Sequence, residues 1–535
     1  MTDKLRYMFV ISVPFLLWTC DPVFAAKSKT FVYCTEASPK IFNPQMATDG
    51  PTFNASAQTV YNRLVDFKRG TTEVIPSLAE SWTVSQDGLT YTFDLRKDVK
   101  FHSIENYTPQ RNFNAEDVIF TIDRMRQKSH PYHQVNGGVY EYFSAMEMDK
   151  IIKDIKKIGD YRVQFVLSRP EAPFLANLAM DFASILSAEY GTFLLKKGRA
   201  EDLDTTPVGT GPFVFQRYVK DSMIRYKAHP DYFLGKAKID KLVFSITPDP
   251  TVRYQKLKRG ECHFAAEPSP TDVAAMESDP NIKVLHQPGL NVAYLAINTE
   301  KPPFNDVRVR RALYHALNRK AYIDAIYLGH GEVAKNPMPP TMWGYNENTK
   351  GYDYNPDQAK SLLKQAGLAK GFEVELWTLP VSRPYNPNGK KLGELMQSDL
   401  AKVGIKAKPV TYKFATYLDK ASKGEHTLAQ LGWSGDNGDP DNFLNMLLSC
   451  AGVKAGSNMS RWCNKKYTDL VNQAKQTSDP SRRAALYKKA QELFNTEVPW
   501  VPIAHSVVFK AMGKNVSGYT LSPLGTENFY GVDVN

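Results

Sequence analysis

The sequence predicts an α/β protein built from two or three domains. Strand and helix patterns alternate through residues 292–411, as they do in α/β domains. At 535 residues the chain is too long for one ordinary domain. Hydrophobic residues make up 42% of it at a mean hydropathy of −0.40, which describes a soluble protein with apolar mass for large cores.

Residues 1–25 read as an export signal, not as part of the fold. Lys4 and Arg6 precede a largely apolar stretch, Tyr7–Trp18, and Val23-Phe-Ala25 offers a small-residue cleavage pattern before Ala26. The apolar run is about half of the roughly 20 residues that a spanning helix needs. Trp18 and Thr19 argue against lipid attachment at Cys20. Lys+Arg 67 against Asp+Glu 56 gives a net charge of +11. That charge is dispersed, without the like-charge runs of a nucleic-acid-binding arm. Beyond the leader remain Cys34, Cys262, Cys450 and Cys463, an even count that predicts two disulfides in an exported chain. The closely spaced Cys450 and Cys463 pair as a local loop. Cys34 is left for Cys262, which brings the start of the chain back against its middle.

In chain order, residues 29–36 are β-branched and aromatic and predict a strand. Asn43–Pro51 is turn material, and Ala55–Leu64 reads as helix. A strand meander follows from Ile75 to Phe101, with Tyr91, Phe93 and Leu95 alternating with polar residues and Gln86-Asp-Gly88 as its turn. Asn114 caps a helix that runs through Arg126. Val163–Leu167 predicts a strand, followed by a helix ending near Leu178. Pro207–Phe213 is a stiff, glycine-punctuated crossing between domains. Leu242–Ile246 and Val292–Ile297 predict strands, with a helix over Thr251–Arg259. Asp306 caps a helix whose Val309, Ala312, Leu313 and Ala316 share one face. Further on, Pro356–Ala366, Asn388–Val403 and Arg482–Phe494 read as helices, Glu373–Thr378 and Lys406–Thr411 as strands, and Val498–Ile503 opens a final extended stretch.

Catalytic and metal motifs are missing. Gly432-Trp-Ser-Gly435 lacks the nucleophile-elbow spacing, and Gly209-Thr-Gly211 lacks the third glycine of a dinucleotide loop. His130 and His133 have no third ligand nearby. Ser361-Leu-Leu-Lys364 matches the Ser-x-x-Lys of penicillin-recognising serine hydrolases but lies on an amphipathic helix, with the partner Lys-Thr-Gly missing. Neither a cofactor nor a metal is expected, and a binding protein is favoured over an enzyme. The candidate binding element is residues 431–442, which carry Asp436, Asp439 and Asp441, with Trp433 beside them, in an otherwise basic chain. Gly435 and Gly438 allow close backbone folding or positive φ, and Pro440 stops any helix. On residue types alone the loop is either a solvated turn or a cradle for a cationic group.

Several segments together resemble the family 5 extracellular solute-binding proteins of bacterial ABC importers, nearest to the dipeptide-binding branch. They are Tyr61-Asn-Arg-Leu-Val65, Ile75–Trp82, Asp87–Phe93, Phe113–Val118 and Val208–Phe213, followed by Asn336–Tyr345, Arg383-Pro-Tyr-Asn-Pro387 and Gly432–Phe443. The resemblance implies a type II periplasmic binding fold of three lobes that close over ligand about a hinge. Domain I would comprise 26–62, 210–290 and 507–535, domain II 63–209 and domain III 291–506. The four cysteines fall where that branch's two disulfides lie. The implied protein is a periplasmic monomer that hands dipeptides to an inner-membrane permease. In the family motifs, the partner of the peptide carboxylate falls on Arg383, within Arg383-Pro384-Tyr385, and that of the ammonium on Asp436. Backbone near Thr48-Asp49-Gly50 and Trp433-Ser434-Gly435 would hold the peptide main chain. An arginine fork and a fixed carboxylate suit the two ends of a buried zwitterion, because unpaired buried charge is costly. Phe414 stands where the branch carries tryptophan, which leaves haem or glutathione as alternative ligands.

Overall fold

A computed structural model describes Thr2 and residues 28–535 of the chain. The predicted export segment (Thr2 apart) and Cys20 lie outside the described residues.

One 12-stranded mixed sheet organises most of the fold. Along its main path lie Ile405–Val410, Phe372–Trp377, Leu428–Ser434, Asn291–Ile297, Trp500–Gly513, Phe264–Ala265, Thr30–Thr35, Lys241–Ile246, Met223–Ala228 and Phe213–Val219. Its central strand, Asn291–Ile297, is buried at every position, which explains a continuous apolar run in place of alternation. Trp500–Gly513 serves both halves of the sheet. Its first residues, Trp500–Ala504, pair with Ala293–Ala296, and Val507–Gly513 pair with Ile282–Pro288. The chain passes between the halves again at Pro288–Asn291.

A separate four-stranded antiparallel sheet holds Ala79–Val84, Thr90–Leu95, Arg162–Leu167 and Ile152–Gly159. Here the period of two works as predicted, because only one face is covered: Tyr91, Phe93 and Leu95 are buried and their neighbours are half-buried. Gly88 turns the first hairpin with φ +69°, and the Leu89 N–H donates to Asp87 at 3.0 Å. The predicted caps also form. Asn114 and Asp117 make a reciprocal capping box on Ala115–Arg126, and Asp306 caps Val307–Ala316.

Two local expectations are corrected. The helix read over Ala55–Leu64 lies earlier, at Gly50–Ala55, where Asp49 caps the Thr52 N–H and Pro51 occupies the first turn. Beyond it the chain must turn, because the Val60 carbonyl receives the Gly211 N–H at 2.8 Å and the Thr59 carbonyl receives that of Phe213 at 3.0 Å. The crossing Pro207–Phe213 packs so closely there that a Cβ on Gly209 would sit 2.1 Å from the Val60 oxygen. Pro440 does not stop a helix; it immediately precedes Asp441–Leu448, a position its fixed φ suits.

Both predicted disulfides form. Cys34 and Cys262 have Cα atoms 5.8 Å apart across a separation of 228 residues, and Cys450 and Cys463 4.5 Å apart across 13.

Candidate functional site

Strand Leu428–Ser434 ends at the loop singled out in the sequence, and Asn442 fixes its shape. The Asn442 Oδ1 accepts from the Trp433 indole N–H and from the Asp436 backbone N–H, both at 3.0 Å. Asp439 accepts Arg483 Nη2 at 2.9 and 2.8 Å and takes the Asp441 N–H at 3.0 Å. Asp439 and Asp441 therefore shape the turn, leaving Asp436 to face inward. Neither Gly435 nor Gly438 has a positive φ. Glycine serves close approach at Gly438, where a Cβ would meet the Thr72 hydroxyl at 2.4 Å.

Thr48, Asp49, Gly50, Arg383, Tyr385, Trp433, Ser434 and Asp436 line one cavity with about 710 Å³ of empty space, part of it open to solvent. Two predicted members do not line it. The Gly435 N–H is taken by the Leu290 carbonyl at 2.6 Å, so it cannot hold a ligand's main chain. Pro384 faces away, its carbonyl accepting the Ser506 hydroxyl at 2.7 Å. Phe414 lines the cavity, its ring centroid 5.9 Å from the Arg383 guanidinium carbon.

Arg383 donates through Nη1 to Glu36, and both side chains are buried. Burial pushes the Glu36 carboxyl up, but the Arg383 and Arg253 guanidiniums outweigh it and hold the group below its ordinary value. The Arg383 Nη2 lies against Gly50, where a Cβ would sit 3.0 Å from it, so glycine keeps that nitrogen clear. Asp436 is half-buried. Its Oδ2 accepts from the Tyr142 hydroxyl at 2.5 Å and from Asn442 Nδ2 at 3.3 Å, while Oδ1 has no hydrogen bond among the described residues. Burial pushes its carboxyl up to about 7, with Asp181 adding to the shift and the Tyr142 and Asn442 bonds opposing it.

Glu141, also in the cavity wall, accepts the Thr48 hydroxyl at 3.4 Å, and burial pushes its carboxyl up. Asp49 uses Oδ1 on the Thr52 N–H, while its buried Oδ2 has no partner among the described residues. Sequence reasoning missed Glu36, Glu141, Tyr142 and Asn442. Only Asn442 carried a local signal, lying in the same loop.

The sequence profile of the bacterial extracellular solute-binding proteins, family 5 Middle, matches residues 73–455. The chain belongs to this family. It is 53% identical over 510 residues to a dipeptide-binding protein of Escherichia coli K12, covering 95% of each chain. A heme-binding protein A of Haemophilus influenzae is 49% identical over 511 residues, 96% of this chain and 93% of that one. Among solved structures, the dipeptide-binding protein from Pseudoalteromonas sp. SM9913 in complex with Met-Leu superposes with a TM-score of 0.93 at 39% identity. That match covers 95% of this chain and 100% of that one. All three carry the names of binding proteins. Ser361 of the Ser-x-x-Lys match lies on the exposed side of helix Pro356–Gln365, its hydroxyl 3.3 Å from Gln365 Nε2.

Proposed function

We propose that this chain is the periplasmic binding subunit of an ABC importer and takes up dipeptides as zwitterions. The observation carrying this reading is that one cavity presents a guanidinium with Nη2 turned toward it and a carboxylate with an unengaged Oδ1. Arg383 would take the peptide carboxylate and Asp436 the ammonium, while Thr48 and Ser434 flank the main chain between them. A ligand anchored by charge at both ends is selected for length, and the side chain of its second residue projects toward Phe414, Trp433 and Leu418, where contact is apolar. The hinge would lie at the two crossings of the large sheet, Pro288–Asn291 and Ala504–Val507, a reading the strand pairings support. These adjoin the domain limits read at 290 and 506. An inner-membrane permease is the expected recipient of the cargo.

The name of the Haemophilus relative keeps haem as a second reading. Histidine is missing from the cavity wall among the described residues, while Tyr294, Tyr385 and Met459 are present as other iron ligands. Calorimetry with Ala-Ala, N-acetyl-Ala-Ala, glutathione and haem separates these readings. Ala-Ala is expected to bind and the acetylated peptide to bind at least about a hundredfold more weakly, because acetylation removes the charge meant for Asp436. Equal binding of the two peptides would refute the assignment of Asp436.

A further inference from the structure

Beyond Asp436 the cavity does not end. A second compartment, with about 540 Å³ of empty space, shares Asp436 and Thr526 with the first and is walled by Arg63, Asp66 and Asp181. We infer that this compartment is a subsite for the side chain of the ligand's first residue and that it selects a cationic one, with Asp181 as the determinant. The inference rests on the reading above, in which Asp436 fixes the ammonium beside this compartment.

Asp181 is only 7% exposed and lines the compartment. Its Oδ1 accepts from Gln58 Nε2 at 2.6 Å and from Arg63 Nη1 at 3.3 Å, whereas Oδ2 makes no hydrogen bond among the described residues. Arg63 is shared, its Nη2 donating to Asp66 at 2.7 Å. Two carboxylates, Asp66 and Asp181, therefore share one buried guanidinium, and Asp436 adds a third acid to the compartment wall. The ligand's ammonium is met by Asp436, which leaves Asp66 and Asp181 with the Arg63 charge between them. Lys68 and Arg69 also line the compartment but are exposed: Lys68 pairs with Glu73 at 3.0 Å, while Arg69 donates to the Gly518 carbonyl at 3.0 Å and bonds to neither Asp66 nor Asp181. A lysine or arginine side chain starting next to the ammonium would run its methylenes along Met180 and Leu524 and bring its charge to Asp181. Burial pushes the Asp181 carboxyl up to about 6, Arg63 and Gln58 opposing the shift and Asp66 adding to it. Asp436 and Tyr142 are the other titratable groups close enough to interact with Asp181.

The test is calorimetry on the full mature protein with Lys-Ala, norleucyl-Ala, Glu-Ala and Ala-Ala at pH 7.5 and pH 5. The readout is the affinity ratio of Lys-Ala to norleucyl-Ala. Both ligands carry the same ammonium, so the titration of Asp436 cancels. At pH 7.5 the ratio is expected to be at least about 10, with Glu-Ala the weakest ligand, and to fall several-fold at pH 5 as Asp181 protonates. Asp181→Asn is expected to bring it close to 1. A wild-type ratio near 1 would overturn the inference whether or not the variant folds. So would a ratio that survives both pH 5 and the substitution. If none of the four peptides binds, the dipeptide reading itself fails, which is a different result from a ratio of 1.

Discussion

The Tyr142 hydroxyl donates to Asp436 Oδ2 at 2.5 Å across 294 residues of sequence. The contact joins the inserted small-sheet region to the acidic loop of the large sheet, so it forms only when the two flank the same cavity. It stabilises one oxygen of the carboxylate and leaves the other toward the cavity. The bond counts against protonation, yet burial outweighs it and the Asp436 carboxyl remains at about 7.

A proton count follows from that value. Below pH 7 the empty site holds mostly neutral Asp436, while a bound ammonium requires the carboxylate. At pH 6 binding should therefore release about 0.9 proton, and affinity should fall roughly tenfold per unit as pH drops further. Calorimetry in two buffers of different ionisation enthalpy measures the release directly. A value near zero would mean that the ligand's charge is met elsewhere.

Tyr142→Phe tests the same carboxylate from the other side. Without the phenol bond Asp436 holds its proton more tightly, so dipeptide affinity at pH 7 should drop by about tenfold. The deficit should shrink at pH 8, where the carboxylate forms regardless. A loss equal at both pH values would point to damaged packing in place of altered titration.

Asp436→Asn should separate binding from stability. The folded-state value lies above that of the unfolded chain, so the folded form binds more protons and stability falls as pH rises from about 4 to 7. Removing the acid abolishes this loss. The ligand-free variant is expected to melt higher than wild type at pH 8, by the equivalent of roughly 1–3 kcal/mol after allowing for solvent screening, and to match it near pH 4. It should bind dipeptide at least about a hundredfold more weakly. Thermal melts at the two pH values decide this.

Much of the frame was legible in the sequence because its signals are local. Asn114 and Asp306 announce their helices through side chains that reach only two or three residues along the chain. The alternation at Tyr91–Leu95 reports a sheet with one covered face. The helix at Gly50–Ala55 was misplaced because Asp49-Gly50-Pro51 fits a turn as well as a capped helix start, and the choice depends on Val60 and Thr59 meeting Gly211 and Phe213. The loop around Asp436 was visible as an acidic segment. Its partner Tyr142 was not, and neither was Glu36 beside Arg383, because a contact across hundreds of residues leaves no periodic trace.

The pair Arg383–Glu36 supplies the last prediction. Arg383 should hold a ligand carboxylate while already bonded to a buried carboxylate that it keeps ionised. Removing the guanidinium takes away the hydrogen-bonded partner of buried Glu36, next to Glu267, with Arg253 and Lys510 left to offset part of the charge, so the loss should lie toward the low end of roughly 3–5 kcal/mol. Arg383→Met should therefore lower stability by about that amount and abolish dipeptide binding. Adding Glu36→Gln removes the Glu36 charge, so the double variant should regain most of the stability while binding stays absent. Denaturant titration and calorimetry on the two single variants and the double complete the cycle. If the double variant is no more stable than Arg383→Met, the pair does not explain the loss. If Arg383→Met still binds Ala-Ala like wild type, the peptide carboxylate has another partner.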